Sequence, residues 1–168
     1  MTSADEPEWL DDEEAAAWLA HLRAGQLLNA ALDRQLQRDA GIPHSWYGIL
    51  TVLASQPDGS LRQSDLAALA DFSLSRLSHA VTKLENQGWV RRQADTGDRR
   101  STLVVLTPEG AAAQAQAAPG HVAVVRELVF SRLTRTQVRQ LAQISQTLLD
   151  GLLAQPDAPV VPLRPPAR

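Results

Sequence analysis

Residues 73–88, SLSRLSHAVTKLENQG, carry two patterns at once. Leu77, Ala80, Val81 and Leu84 fall at i, i+3, i+4 and i+7, so on a helix they form one apolar stripe that must face a core. The opposite side carries Ser75, Arg76, His79, Thr82 and Lys83. A merely solvated face commonly mixes glutamate with lysine. This one offers hydroxyls, a guanidinium, an imidazole and an ammonium, the groups that hydrogen-bond phosphates and base edges. Ser73 is placed to cap the helix start and Gly88 to end it. The stretch predicts an amphipathic helix whose polar side enters a DNA groove.

The flanking sequence shows how such a helix is presented. Gln63 to Ala70 reads as a short helix with Leu66, Ala67 and Ala70 inward, and Asp71-Phe72 is a tight connection. Two short helices so joined are a helix-turn-helix. After Gly88, Trp89–Gln93 and Thr102–Leu106 read as paired strands around the turn Asp95-Thr96-Gly97-Asp98, which adds a wing. Ser60-Leu61-Arg62 reads as a very short strand. Upstream, Trp46, Ile49, Leu50 and Leu53 give another helix, ended by Pro57-Asp58-Gly59.

Further out, residues 12–39 are helical, with Trp18, Leu22, Leu28, Leu32 and Leu36 recurring mostly at fours and acids at the N-terminal end. So long a helix is expected to pack on a second subunit. Thr107-Pro108-Glu109 opens a later helix. Pro119-Gly120 is expected to interrupt it, giving either a kink or two stacked pieces with Val122–Leu133 as the second. Thr134 to Gln137 forms a capping box before Val138, Leu141, Leu148 and Leu152. The chain therefore divides into an acidic disordered tail (1–11), an N-terminal dimerisation helix (12–40), a winged helix-turn-helix (41–107), C-terminal dimerisation helices (108–154) and a Pro-rich tail (155–168). The fold class is mainly α with a small β-hairpin wing.

The net charge of −3 is low for a nucleic-acid binder until it is mapped. Seven acids between Asp5 and Glu14 contribute −7, which leaves +4 for the remainder. Arg91, Arg92, Arg99 and Arg100 concentrate basic charge in the hairpin. The absence of cysteine excludes disulfides, thiolate metal sites and thiol redox sensing. No apolar run approaches the ~20 residues of a membrane span, and the acidic N-terminus is no signal peptide, so a cytoplasmic location is expected. The four histidines lack metal-ligand spacing, and no serine sits on a strained G-x-S-x-G turn. Neither a cofactor nor enzyme activity is expected.

At this point the residues resemble the MarR-type winged-helix transcriptional regulators. The resemblance rests on Leu66-Ala67, on Ser75 through Glu85, on Gly88-Trp89-Val90-Arg91-Arg92, on Asp98-Arg99-Arg100, and on Leu106-Thr107-Pro108-Glu109-Gly110. It implies a homodimer on double-stranded, pseudo-palindromic operator DNA, acting as a repressor released by a small phenolic or anionic effector. Arg76 and Lys83 are then expected on phosphates or guanine, with Ser75, His79 and Thr82 at base edges. Arg100 matches the family arginine that enters the minor groove, and Asp98 would orient it by a salt bridge. Arg91, Arg92 and Arg99 are expected on phosphates, as are Gln63 and Ser64. Ser73 belongs to the same surface. His21, His44, Trp46 and Tyr47 are candidates for an effector pocket, with Trp46 as plain core the alternative. A dimer that binds ligands or proteins without DNA, and an activator of the same fold, are the competing readings.

Overall fold

The computed structural model describes residues 7–95, 97–98 and 101–155. The elements follow as α1 (Asp12–Ala40), α2 (His44–Ala54), β1 (Ser60–Arg62), α3 (Gln63–Leu69), α4 (Leu74–Asn86), β2 (Val90–Ala94), β3 (Thr102–Leu106), α5 (Pro108–Leu128), a 3-10 turn (Phe130–Arg132) and α6 (Arg135–Leu153). The strands form one antiparallel sheet in the order β1-β3-β2. Leu61 lies opposite Val104, and Val90 opposite Leu106. The short strand thus joins the wing hairpin to the helix-turn-helix rather than standing apart.

The expected apolar stripe of α4 makes the core. Leu77, Val81 and Leu84 are fully buried, packed with Ile49, Leu50 and Leu53 of α2, Leu66 of α3, and Val90 and Val104 of the wing. Burying each such side chain contributes about 1.5–3 kcal/mol. Between α3 and α4 the chain turns in four residues. Asp71 takes a left-handed conformation (φ 55°), and the Phe72 amide donates to the Ala67 carbonyl at 2.9 Å. A second small cluster, Leu36, Ile42, Tyr47 and Ala117, joins α1, α2 and α5.

Two regions depart from expectation. α5 runs without a break through Pro119. The proline lies on the exposed side of the helix, as does Ala115, whose carbonyl loses its helical donor and is left to solvent. Its neighbour Gly120 is where α5 crosses α1: a Cβ there would stand 2.7 Å from Gln35 Nε2. The Pro-Gly pair thus marks a close helix crossing, not a stop. Asp11, assigned from sequence to the acidic tail, is instead the N-cap of α1. Its carboxylate accepts from the Glu14 amide, and the Glu14 side chain accepts from the Asp11 amide. Residues 1–6 and 156–168 of the two tails lie outside the described residues.

Large apolar faces remain uncovered. On α1 only Leu32, Gln35 and Leu36 are buried, while Trp18, Leu19, Leu22 and Leu27 are exposed. α6 buries nothing, and its Leu141, Ile144, Leu148 and Leu152 form a continuous exposed stripe at helical spacing. No helix among the described residues is long and apolar enough to cross a membrane.

Candidate nucleic-acid interface

Ser73 caps α4: its hydroxyl accepts from the Arg76 amide at 3.3 Å. Ser75, Arg76, His79, Thr82 and Lys83 are all exposed, on the side away from the core. The two edges of this surface are held differently. On one edge the Arg76 guanidinium sits 5.1 Å from the centre of the Phe72 ring, a cation–π contact that limits its rotamers. Arg76, His79 and Lys83 there border a shallow groove shared with Trp46 and Phe72.

On the other edge the wing is clamped to the helix. Arg92, expected on a phosphate, points inward instead. Its guanidinium forms an ion pair with Glu85 and donates to the Ser78 carbonyl at 2.9 Å and to Thr82 Oγ1 at 3.2 Å. Its backbone amide donates to Glu85 Oε1 at 2.8 Å. With both side chains 28% exposed, this guanidinium is held against helix α4 while keeping part of its surface in solvent. Thr82 is engaged as well, since its hydroxyl donates to the Ser78 carbonyl at 3.0 Å. Of the five polar residues on this face, Ser75, Arg76, His79 and Lys83 keep their side-chain donors open.

The exit of α4 is fastened a second time. Gly88 adopts φ 74°, a conformation glycine tolerates. The Trp89 carbonyl accepts from the Thr107 amide at 3.0 Å, and Thr107 Oγ1 donates to the Gly88 carbonyl at 2.7 Å. A Cβ on Gly110 would stand 2.0 Å from the Trp89 carbonyl oxygen. This is the physical content of the Leu106-Thr107-Pro108-Glu109-Gly110 motif: it presses the start of α5 against the joint between helix and wing.

At the wing itself, Arg62 pairs with Asp95 at 2.9 Å, tying the start of α3 to the hairpin loop. The Gly97 amide, and then Arg62, hold the Asp95 carboxyl below its ordinary value. Gln63 and Ser64 line a polar recess with Arg62, Ser101 and Thr102. Arg91 is exposed and donates to Gln93 Oε1 at 2.6 Å. The Asp98 carboxylate accepts from Ser101 Oγ at 2.7 Å. Arg99, Arg100 and the expected Asp98–Arg100 salt bridge lie outside the described residues.

This arrangement has counterparts among known proteins. The sequence pattern of the MarR family matches residues 40–101. Sco3205, a MarR family transcriptional regulator from Streptomyces coelicolor crystallised in complex with DNA, is 46% identical, with a TM-score of 0.83 over 96% of this chain and 100% of that one. The chain belongs to the MarR family. The relatives are described as transcriptional regulators. AbsC, a MarR family regulator from the same organism, is 36% identical with a TM-score of 0.80, covering 89% of this chain and 100% of that one. The transcriptional repressor MprA of Escherichia coli (strain K12) is 30% identical over 112 residues, 67% of this chain and 63% of MprA. The match therefore spans less than two thirds of that curated relative.

In this MarR-family chain the four effector candidates do not gather in one place. His44 and Tyr47 meet at the α2–α5 junction, where both face His121: ring centres are 5.6 Å apart for His44 and 4.7 Å for Tyr47. Gln114 Nε2 donates to the Tyr47 hydroxyl at 3.5 Å. Burial pushes both imidazoles below the ordinary value; His44 further lowers His121, while Asp33 partly offsets the effect on His44. Trp46 instead packs against the winged-helix core. His21 stacks on Trp18 at 6.3 Å and lines a separate apolar cavity with Leu28, Leu128 and Leu141. Sequence reading missed His121 and Glu85. Glu85 had a usable signal, since it stands seven residues before an arginine across a glycine turn. His121, 77 residues from its partner His44, had none.

Proposed function

We propose that this MarR-family regulator binds pseudo-palindromic operator DNA as a homodimer, represses transcription there, and is released by a small-molecule effector. One observation carries the DNA reading: the polar side of α4 keeps four donors open while both its edges are fastened, by Phe72 under Arg76 and by Arg92 of the wing. A surface so held inserts as a unit, α4 into a major groove and the wing into the flanking minor groove. Arg76 and Lys83 would contact guanine or phosphate, and Ser75 and His79 base edges. Arg91, Arg99, Gln63 and Ser64 would fall on phosphates and Arg100 in the minor groove, where narrow A·T tracts concentrate negative potential. The uncovered stripes of α1 and α6 support the dimer, because exposed apolar faces of this extent mark association sites. Two-fold symmetry then sets half-sites about 10 bp apart.

The test combines sedimentation with gel shifts on the DNA upstream of the gene over a range of salt. A dimer whose affinity falls steeply with salt is expected, as counterions leave the neutralised phosphates. A monomer, or binding without a salt slope, would contradict the proposal and favour an interaction module. Arg100→Ala is expected to weaken operator binding by about 1–3 kcal/mol with the fold intact.

A further inference from the structure

Arg62 lies off α4, at the junction of β1 and α3, and its guanidinium is held by one edge. Arginine and a carboxylate often pair fork to fork, through two parallel bonds. Here Nε alone donates, to Asp95 Oδ2 at 2.9 Å, and neither outer nitrogen has a partner among the described residues. The four N–H groups of that outer end are left open. Asp95 is anchored in its own loop, since its Oδ1 accepts from the Gly97 amide at 2.8 Å. Its side chain is 12% exposed, against 47% for Arg62. A fixed carboxylate thus holds a guanidinium whose far end is free to take an anion.

Arg62 lines a polar recess of about 230 Å³ between the start of α3 and the start of β3, with Gln63, Ser64, Ser101 and Thr102. No carboxylate lines it, and Arg62 is its one cation among the described residues. The Ser64 and Ser101 hydroxyls donate elsewhere, to Asp65 Oδ1 at 3.4 Å and to Asp98 Oδ2 at 2.7 Å. The Gln63 amide and the Thr102 hydroxyl have no partner among the described residues. A guanidinium fork with two neutral donors beside it suits a tetrahedral oxyanion such as a backbone phosphate. With α4 in a major groove and the wing in the flanking minor groove, the corner between α3 and the wing faces the sugar–phosphate strand that divides the two.

We infer that Arg62 grips the DNA phosphate between the two grooves, and that Asp95 is the residue that positions it. The inference rests on the proposed DNA binding and adds two residues to it. It also carries a distinctive sign. By charge alone an acid beside DNA weakens binding, so its removal should strengthen it. When the acid aims the guanidinium, its removal weakens binding, because an unanchored arginine loses more side-chain freedom on meeting the phosphate.

The experiment measures gel-shift affinities of the full-length protein for an operator selected from random DNA. It repeats them on copies in which single phosphates are replaced, one at a time, by uncharged methylphosphonate. Neutralising one linkage between the grooves in each half-site is expected to weaken wild-type binding by about fivefold or more. Arg62→Gln should bind about fivefold more weakly than the wild type, with a salt slope smaller by about 0.9 for each protomer. It should also be indifferent to that methylphosphonate. Arg62→Lys keeps the charge but has one nitrogen to share between Asp95 and the phosphate, so it should remain about threefold weaker than wild type. Asp95→Ala should weaken binding by about threefold in the wild-type background, and leave it unchanged or tighter in Arg62→Gln. Melting temperatures check the fold of each variant; Arg62→Lys leaves the wing loop untouched and carries the test if Asp95→Ala unfolds. Asp95→Ala binding as tightly as wild type, or weakening both backgrounds equally, would overturn the positioning role, as would full affinity in Arg62→Lys. An Arg62→Gln protein that keeps the wild-type salt slope and still responds to the same methylphosphonate would overturn the phosphate grip. A wild-type protein that binds no DNA would overturn the DNA reading itself.

Discussion

The Arg92–Glu85 clamp makes the sharpest quantitative prediction. Glu85→Ala removes the ion pair and also the acceptor of the Arg92 amide, both in a partly buried setting. Charge-assisted hydrogen bonds of this kind contribute about 1.5–3 kcal/mol each, so the loss should be roughly 2–3 kcal/mol once the better helix propensity of alanine is set against it. Arg92→Ala removes the same ion pair together with the bond to the Ser78 carbonyl, and should cost about 2 kcal/mol. Only the ion pair is common to both variants. The double mutant should therefore be less destabilised than the sum, by a coupling of about 1–1.5 kcal/mol. Urea unfolding of the four proteins measures this directly. The clamp should also matter for binding, because α4 and the wing would no longer be held in register; both single variants should lose operator affinity. A coupling below about 0.3 kcal/mol, within the scatter of independent sites, would refute the clamp.

Other outcomes follow from the same structure. Gly110→Ala drives a Cβ into the Trp89 carbonyl and should lower stability by about 1–3 kcal/mol, read by thermal unfolding, with a larger loss in Gly110→Val. His44 and His121 titrate below the ordinary value in the folded protein, so the unfolded chain takes up protons first as pH falls. Their stabilisation should be complete above about pH 6.5 and shrink below it. The melting temperature should therefore drop between pH 7.5 and 5.5, and His121→Phe, which keeps a ring against Tyr47, should flatten that slope. Phe72→Leu removes the ring beneath Arg76 and should weaken operator binding by about 0.5–1 kcal/mol, measured by gel shift, with a stability loss below about 1.5 kcal/mol because leucine still packs on the core.

Local rules made much of the molecule legible in the sequence. Leu77, Ala80, Val81 and Leu84 announce the buried side of α4 because helical period and burial are the same constraint seen twice. Ser73, Thr107 and Thr134 could be read as caps because a helix start leaves amides that need a nearby acceptor. What escaped was decided by contacts distant in sequence. The sequence of Arg92 states a charge but not its partner, and within the chain that partner is Glu85 on α4. Pro119 obeys a rule about isolated helices, yet α5 continues through it, because the proline lies on the exposed side of a helix packed along its other face on α1. The effector candidates are not gathered in one place for the same reason: His44 and Tyr47 are joined by His121 from α5, whereas Trp46 and His21 face other elements.

The central claim is that the open side of α4 reads base sequence. Operator selection from random DNA, run in parallel on the wild-type protein and on His79→Ala, tests it most directly. The account predicts a two-fold symmetric site for the wild type, with half-sites about 10 bp apart, and for His79→Ala the same spacing with relaxed preference at one symmetric pair of positions. Enrichment of no motif, or an identical motif from both proteins, would contradict it.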